Sequence, residues 1–588
     1  MPLTQNPPVP ASASSKKKKV KKPISPEKYN ALLASKYPFN ISNSNAKGRH
    51  ALATTDIAPG TIVYEEKAYT LIVAHPSKDQ FCHHCIEPIK EEAKDEIIRC
   101  EACDSVLYCG NECKELNAAH HELECPVLPK LVEIAQEHNI NVDLLRLILG
   151  ILTRKTLQES GNESSHDSLS PWDCVVDLSV HREAFDKTWI KSISDAAAKV
   201  VELLPENMKL PTNEVVDLAC RINSNAHSMQ DTEGKTQVAA FGLFPLGSLF
   251  FRHSCAPNVH FSGEKGRFTY RAIKEIKAGQ EILVSHVADL YAPRSDRRQE
   301  LMISKHIKCD CSRCKVPMAK SLDRFVDGFL CESCHTGIYL PEFQDIPVEA
   351  KEGDVVPAEE SQTPQRRLVI KCDHCDYVAN DRRLAEIRNN LVREYKANIE
   401  LLQQQNLKDA SKGLQTWIET YATGGRYVHP YNAILLNTRV NLLNVLTLLG
   451  EFEAALQVNR DLIATYEASE LIPRNWPDMA ELYNNLGELM AHVAKLRLKA
   501  PVEPEADTPR QHQQPTNRSQ LKGRAAINAA ASSKKPLTPA QVAKANEAAS
   551  KKLAKEALGA FARAYEISSV VFGEDSKKAQ EYKAKAKI

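Results

Sequence analysis

The feature that most limits what this chain can fold into is a run of metal-ligand residues. Cys82, Cys85, Cys100, Cys103, Cys109, Cys113, His121 and Cys125 follow one another as C-x2-C, C-x2-C, C-x3-C and H-x3-C. Paired thiolates on tight turns are how tetrahedral zinc sites are built, and eight ligands make two closed four-ligand sites. A segment this short has too little apolar surface to fold alone, so the metal is expected to hold it together. The H-x3-C spacing selects His121 over His83, His84 and His120. Cys309, Cys311 and Cys314 form C-x-C-x2-C, three ligands in want of a fourth. Cys331 with Cys334 and Cys372 with Cys375 are two further C-x2-C knuckles, expected to share a ribbon-like zinc site across an acidic, Pro-containing loop.

Composition narrows the setting. At 588 residues the chain has room for roughly three to five domains. Its 76 basic and 75 acidic residues nearly cancel, so no specific nucleic-acid binding is predicted. No apolar run reaches the roughly 20 residues of a membrane span; Leu144 to Leu152 is short and broken by Arg146. Met1 to Pro10 lacks the apolar core of a secretory signal. A soluble monomer, cytoplasmic and/or nuclear, is expected, in which seventeen cysteines serve as reduced thiolates rather than disulfides. Lys16 to Lys22 carries six lysines and reads either as a nuclear localisation signal or as a solvated tail.

Several motifs recur in a telling order. Phe251-Arg252-His253-Ser254-Cys255-Ala256-Pro257-Asn258 resembles the signature of the SET lysine-methyltransferase fold. Lys47 to Gly60 resembles its opening strands, with Gly48 at the first glycine of a Gly-x-Gly turn and His50 at the second. Arg221 to Ser228 resembles the strand carrying a donor-binding asparagine, placed at Asn225. Phe241 to Pro245 leads into the signature, Gly266 to Ala278 alternates as a strand should, and Ala278 to Ile282 matches the last core strand. The Cys82–Cys125 run resembles a MYND zinc finger, with Ala118 at the position of that finger's usual Trp. Taken in order, residues 40 to 320 resemble the SET-and-MYND (SMYD) methyltransferases.

That resemblance implies an α+β architecture: a SET β-fold split by a MYND zinc finger and a helical insertion, a zinc-bound post-SET segment, and a C-terminal all-α TPR-like helical domain. The expected boundaries are a disordered basic tail (1–40), the SET N-terminal part (41–81), the finger (82–125), the helical insertion (126–220), the SET core (221–300), the post-SET zinc segment (301–320), the second knuckle pair (321–385) and the helical domain (386–588). The resemblance also implies interleaved zinc ligation, with Cys82, Cys85, Cys109 and Cys113 on one ion and Cys100, Cys103, His121 and Cys125 on the other. Cys255 is implied as the fourth ligand of the Cys309, Cys311 and Cys314 site. Three zinc ions thus follow from the resemblance, and the knuckle pair adds a fourth.

In the helical part, Leu449 to Leu456 resembles a tetratricopeptide-like helix-turn-helix. Leu486-Gly487 repeats its Leu449-Gly450 pair, and Glu556-Ala557-Leu558 is expected to begin another such helix. The Ala, Pro, Gln and Lys-rich stretch from about 498 to 545 is expected to be disordered.

The implied chemistry is methyl transfer from S-adenosylmethionine to a protein lysine, histone or non-histone. Gly48, His50, Asn225, Arg252 and His253 would face the donor. The catalytic tyrosine position falls on His286, and Tyr291, a few residues on, could substitute for it. This pocket departs from the family at four places: His50 for Gly, Arg252 for Asn, His286 for Tyr, and no aromatic among Lys305, His306, Ile307 and Lys308. Two readings follow, a methyltransferase and a catalytically degenerate scaffold. In either case protein substrates or partners are expected at the finger and the C-terminal helical groove.

Overall fold

The computed structural model describes residues 23–33, 36–90, 97–161, 172–230, 238–345, 366–499 and 538–587. The Lys16–Lys22 run, most of the polar Gly161–Ser170 loop, the loop between the knuckles and residues 500–537 of the insert lie outside the described residues. No helix among the described residues is long and apolar enough to cross a membrane.

Strands from two distant parts of the chain pair with each other. Ile62–Lys67 lies antiparallel to Arg267–Ala272, with Tyr64 opposite Tyr270, and Arg267–Ala272 pairs in turn with Val259–Glu264. Thr70–Val73 pairs with Val238–Leu243, whose other edge carries Ala226–Gln230. The hairpin of Phe39–Ser44 and Gly48–Ala53 is bridged to the late chain at Leu52 and Glu281. Alternation does the sorting: Phe268, Tyr270 and Ala272 point inward, joining Phe39, Tyr64 and Phe251 in one aromatic core. The alternation read from Gly266 onward forms a strand only to Ala272, after which the chain turns through Gly279 at φ 81°.

The His-Ser-Cys stretch enters this core as a parallel crossing. Arg252 and His253 pair with Leu283 and Val284, and the Ser254 N–H donates to the Val284 carbonyl (2.8 Å). Asn258 clamps the crossing, donating from Nδ2 to the Glu281 carbonyl and accepting at Oδ1 from the Leu283 N–H, both at 2.8 Å.

Between the paired strands lie the eight-ligand run and a helical layer. Helix Val142–Glu159 is buried almost all round; its one cation, Arg146, is satisfied by the Val73 carbonyl and by Asp143 at 3.1 Å. One expectation changes here. Asn225 does not lie on a strand but ends helix Thr212–Asn225, and the strand begins at Ala226. Val215, Val216, Leu218, Ala219 and Ile222 recur at helical spacing and bury with Leu144 to Leu152 in one core, which holds the backbone in helix up to Asn225.

The C-terminal part is a succession of helices: Asp381–Gln403, Leu407–Ile418, Ala433–Leu449, Phe452–Ser469, Pro477–Lys499, Pro539–Phe572 and Lys577–Ala586. The two Leu-Gly pairs are not equivalent in it. Gly450 (φ 78°) ends one helix, whereas Gly487 lies inside Pro477–Lys499, where the Phe561 ring leaves no room for a Cβ. Glu556-Ala557-Leu558 likewise falls mid-helix, because Thr538 caps Pro539–Phe572 well upstream. Residues 539–545 are therefore helical and not part of a disordered insert. Tyr291, Cys255 and the C-x-C cysteines share one core with Trp476, Phe561 and their helical neighbours, which joins the strand region to the helices.

Candidate functional site

Four clusters of four ligands assemble, each with its ligand atoms within 4.8 Å of one another. Sulfurs about 2.3 Å from a tetrahedral ion stand about 3.8 Å apart. The sulfur separations match: Cys85–Cys109 3.8 Å, Cys109–Cys113 3.5 Å, Cys100–Cys125 3.7 Å, Cys255–Cys314 3.6 Å, Cys255–Cys309 4.0 Å, Cys331–Cys375 3.6 Å and Cys334–Cys372 3.7 Å. In the finger, Cys82, Cys85, Cys109 and Cys113 gather apart from Cys100, Cys103, His121 and Cys125, so the ligands interleave. His121 offers Nε2, 3.7 Å from Cys103 Sγ. Cys255 completes the set of Cys309, Cys311 and Cys314.

The Cys255 cluster has an outer layer that its ligand spacing gave no sign of. Arg297 is fully buried and donates from Nε to Cys255 Sγ (3.3 Å) and from Nη2 to Cys314 Sγ (3.8 Å). Asp323, also fully buried, accepts from Arg294 (3.1 Å), Arg297 (2.9 Å) and Arg313 (2.6 Å), and these cations hold its carboxyl below the usual range despite burial. Arg313 also donates to the carbonyls of Leu290 (2.7 Å) and Leu471 (2.9 Å), which ties the cluster to the helices. Guanidinium donors oppose the excess negative charge of four thiolates and orient them. The run Arg294-Ser-Asp-Arg-Arg298 just before the C-x-C motif was the available signal.

Against this cluster lies a cavity of about 1050 Å³, lined by Gly48, Asn225, Arg252, His253, His286 and the whole stretch Lys305 to Asp310, among others. Five of the seven expected donor and catalytic residues thus meet there. The other two do not line it. His50 is buried with Nδ1 against the Gly48 carbonyl (2.9 Å), since Gly48–Ala53 is a strand and alternate residues face opposite sides. Tyr291 is buried edge-on to Tyr466 (5.1 Å) in the core shared with the helices.

Each lining residue has a definable state. Gly48 has φ 66° and open space where a Cβ would stand, so its backbone borders the cavity unshielded. Asn225 donates from Nδ2 to the Arg221 carbonyl (2.9 Å). His253 is committed: Nδ1 accepts from the His286 N–H (3.0 Å) and Nε2 faces Cys255 Sγ (3.3 Å), while burial pushes its pKa down to about 4. Arg252 spans Glu281 (3.0 Å) and Asp310 (3.3 Å), and Lys47 joins Glu281 from the other side (2.7 Å). The cations at the mouth are therefore largely neutralised, Arg49 by Asp177.

Deeper in, His286 packs beside His227 (6.1 Å between rings), His253 (6.1 Å) and Phe261 (6.0 Å), and His227 meets Phe268 edge-on at 5.1 Å. Burial holds both His286 and His227 well below the ordinary histidine range, and the nearby charge of Lys305 adds to the effect. Both imidazoles are neutral at pH 7, and His286 Nδ1 is buried with no partner among the described residues. The absent aromatic ahead of the C-x-C motif is partly made good by His306. Held at φ 55° past the end of helix Arg294–Lys305, it packs on Phe185 (4.6 Å) and His181 (5.9 Å).

Residues 48–287 match the family model of the SET domain. The chain is 24% identical over 443 residues to the protein named Histone-lysine N-methyltransferase ASHR1 of Arabidopsis thaliana, covering 73% of this chain and 82% of that one. A SET and MYND domain-containing protein of Dictyostelium discoideum is 23% identical over 386 residues, 58% of this chain and 96% of its own length. The N-lysine methyltransferase SMYD2 of Homo sapiens is 26% identical over 275 residues, 46% of this chain and 59% of its own length. A solved structure, the SET domain of LSMT bound to lysine and AdoHcy, covers 76% of this chain at 10% identity with a TM-score of 0.28, too loose a superposition to compare arrangements.

Proposed function

We infer that this SET-domain protein of the SET-and-MYND type is a protein-lysine methyltransferase that uses S-adenosylmethionine. The observation that carries the reading is the convergence of Gly48, Asn225, Arg252, His253 and His286 on one large cavity from four separate parts of the chain.

The lining residues fit such a donor. The cavity is of the size that holds a nucleoside-bearing ligand. The bare backbone at Gly48 and the Asn225 carboxamide would serve its polar groups, and the flat surface of His306 and Phe185 its adenine. When bound, the donor would supply an activated methyl group on a sulfonium.

The rest of the chemistry falls to the protein. A target lysine, with a pKa near 10.4 in water, must arrive neutral and aligned. The neutral rings of His286, His227 and Phe261 form a desolvating wall that disfavours the ammonium form. The unpaired His286 Nδ1 is the acceptor that would orient the amine in place of a tyrosine hydroxyl. Zinc is the metal that best suits four-coordinate thiolate and imidazole sets, and with no open position these sites are structural. The finger and the helical groove are the surfaces we propose for protein partners, in the cytoplasm or nucleus.

The decisive measurement is a calorimetric titration of the purified protein with S-adenosylmethionine. Saturable binding at micromolar to low millimolar donor is expected. No heat and no thermal shift would remove the first step of the reaction and leave the scaffold reading in its place.

A further inference from the structure

Lys305 is the one residue of the cavity whose presence neither metal ligation nor packing explains. It is the last residue of helix Arg294–Lys305, and the left-handed turn at His306 sends the chain on to Cys309, so the metal cluster and the helix fix its position from both sides. It lines the cavity together with His286, and its charge is felt at both His286 and His227. A recessed ammonium is ordinarily paired, because an isolated buried charge is expensive. The cations at the cavity mouth obey that rule through Glu281, Asp310 and Asp177, whereas Lys305 has no ion pair or hydrogen bond among the described residues.

We propose that Lys305 is itself a methyl acceptor: the chain methylates its own lysine inside the cavity. The proposal rests on the methyltransferase reading above. The primary amine that the reaction needs is already beside the imidazole that would orient it, without a substrate protein having to dock. In the step, the Lys305 Nζ lone pair forms a bond to the methyl carbon, the carbon–sulfur bond breaks with its electron pair passing to sulfur, and a neutral thioether leaves. The methylated ammonium then releases a proton to solvent.

The amine must be neutral beforehand, and its surroundings favour this. Burial pushes its pKa down to about 8. At pH 7.5 that leaves about a quarter of the amine neutral, against about 0.1% for a lysine at its ordinary value. The imidazoles facing it, His286 and His227, are themselves neutral and offer no counter-charge that would hold the proton.

The full chain is incubated with isotopically methyl-labelled S-adenosylmethionine, donor binding is followed by calorimetry, and peptides are mapped by mass. The expected result is about 14 Da per methyl on Lys305, at a rate per chain that does not change with protein concentration, with the label lost in Lys305→Arg. A second readout needs no turnover. Formaldehyde with a mild hydride donor should mark Lys305 at pH 7.5 several-fold faster than exposed Lys308, and S-adenosylhomocysteine should suppress the mark. Donor binding with Lys305 unlabelled in the wild-type chain overturns this proposal and leaves the methyltransferase reading standing. Absence of donor binding overturns both. Label retained in full by Lys305→Arg places the acceptor elsewhere and also overturns it. If that variant does not fold, the wild-type peptide map decides.

Discussion

Cys255 and Arg252 are three residues apart, yet they belong to regions built in opposite ways. The metal cluster at Cys255 is complete to its second layer: four thiolates, Arg297 donating to two of them, and Asp323 collecting three arginines. The cavity at Arg252 keeps its shape but has exchanged its expected groups, with an arginine ion-paired at its mouth and imidazoles and an amine inside. The contrast reflects tolerance. A tetrahedral site fails if one ligand is lost, and a buried carboxylate fails if its cations leave. A cavity can lose an aromatic in one place and regain a flat surface from another, as His306 and Phe185 do here.

Four experiments would break or sharpen that contrast. The largest effect is expected from Cys309→Ser. The wild-type chain should carry about four zinc ions, one per cluster, and the variant one fewer. Something of order 10 kcal/mol of metal-binding free energy is at stake, so the helical part should detach from the strand region or the chain should fail to fold. Metal analysis with thermal unfolding tests this, and a stable variant with full zinc would refute the cluster.

Next, Asp323→Asn leaves three buried guanidinium groups short of a counter-charge, and a loss of roughly 3–5 kcal/mol is expected in urea unfolding. Unchanged stability would show that the brace is dispensable and the two regions less different than they look.

The cavity carries an acid liability of its own. His227 and His286 are depressed in the folded chain relative to an ordinary value of 6.5, so the unfolded state takes up their protons first. Their contribution is full above about pH 6.5 and is lost as pH falls below it, by at most about 1.4 kcal/mol per pH unit for each group. Acid also strips thiolate-bound metal, so the informative quantity is the difference from His227→Phe, whose decline between pH 6.5 and 5 should be shallower. Parallel curves would mean that the ring is protonated in the fold.

Smallest of all, Arg252→Ala should cost no more than about 1 kcal/mol, because its pairs with Glu281 and Asp310 are partly exposed. A larger loss would make the cavity mouth as indispensable as the cluster.

Much of this was legible in the sequence, for reasons that differ by residue. The finger ligands and the two knuckle pairs lie close together along the chain, so their spacing reports their geometry directly. Cys255 is 54 residues from Cys309, and only the family resemblance joined them. Asn225 was placed on a strand because the motif around it is matched by order, while the helical spacing from Val215 to Ile222 decided its actual backbone. The second Leu-Gly pair looked like a repeat because Gly ends helices, but Gly487 is there to admit the Phe561 ring. Arg297 and Asp323 left only a basic run as a trace, since neither belongs to a spacing pattern.

By itself, then, the sequence determined which atoms can bind metal and which strands can alternate, because ligand spacing and side-chain alternation are local properties of the chain. Only the tertiary structure decided which way the cavity residues look. His50 turns inward beneath Gly48, Tyr291 is claimed by the helical core, and His286 and Lys305 meet across the cavity from a strand end and a helix end. Those outcomes depend on which faces are buried when distant segments pack, and no run of neighbouring residues encodes that.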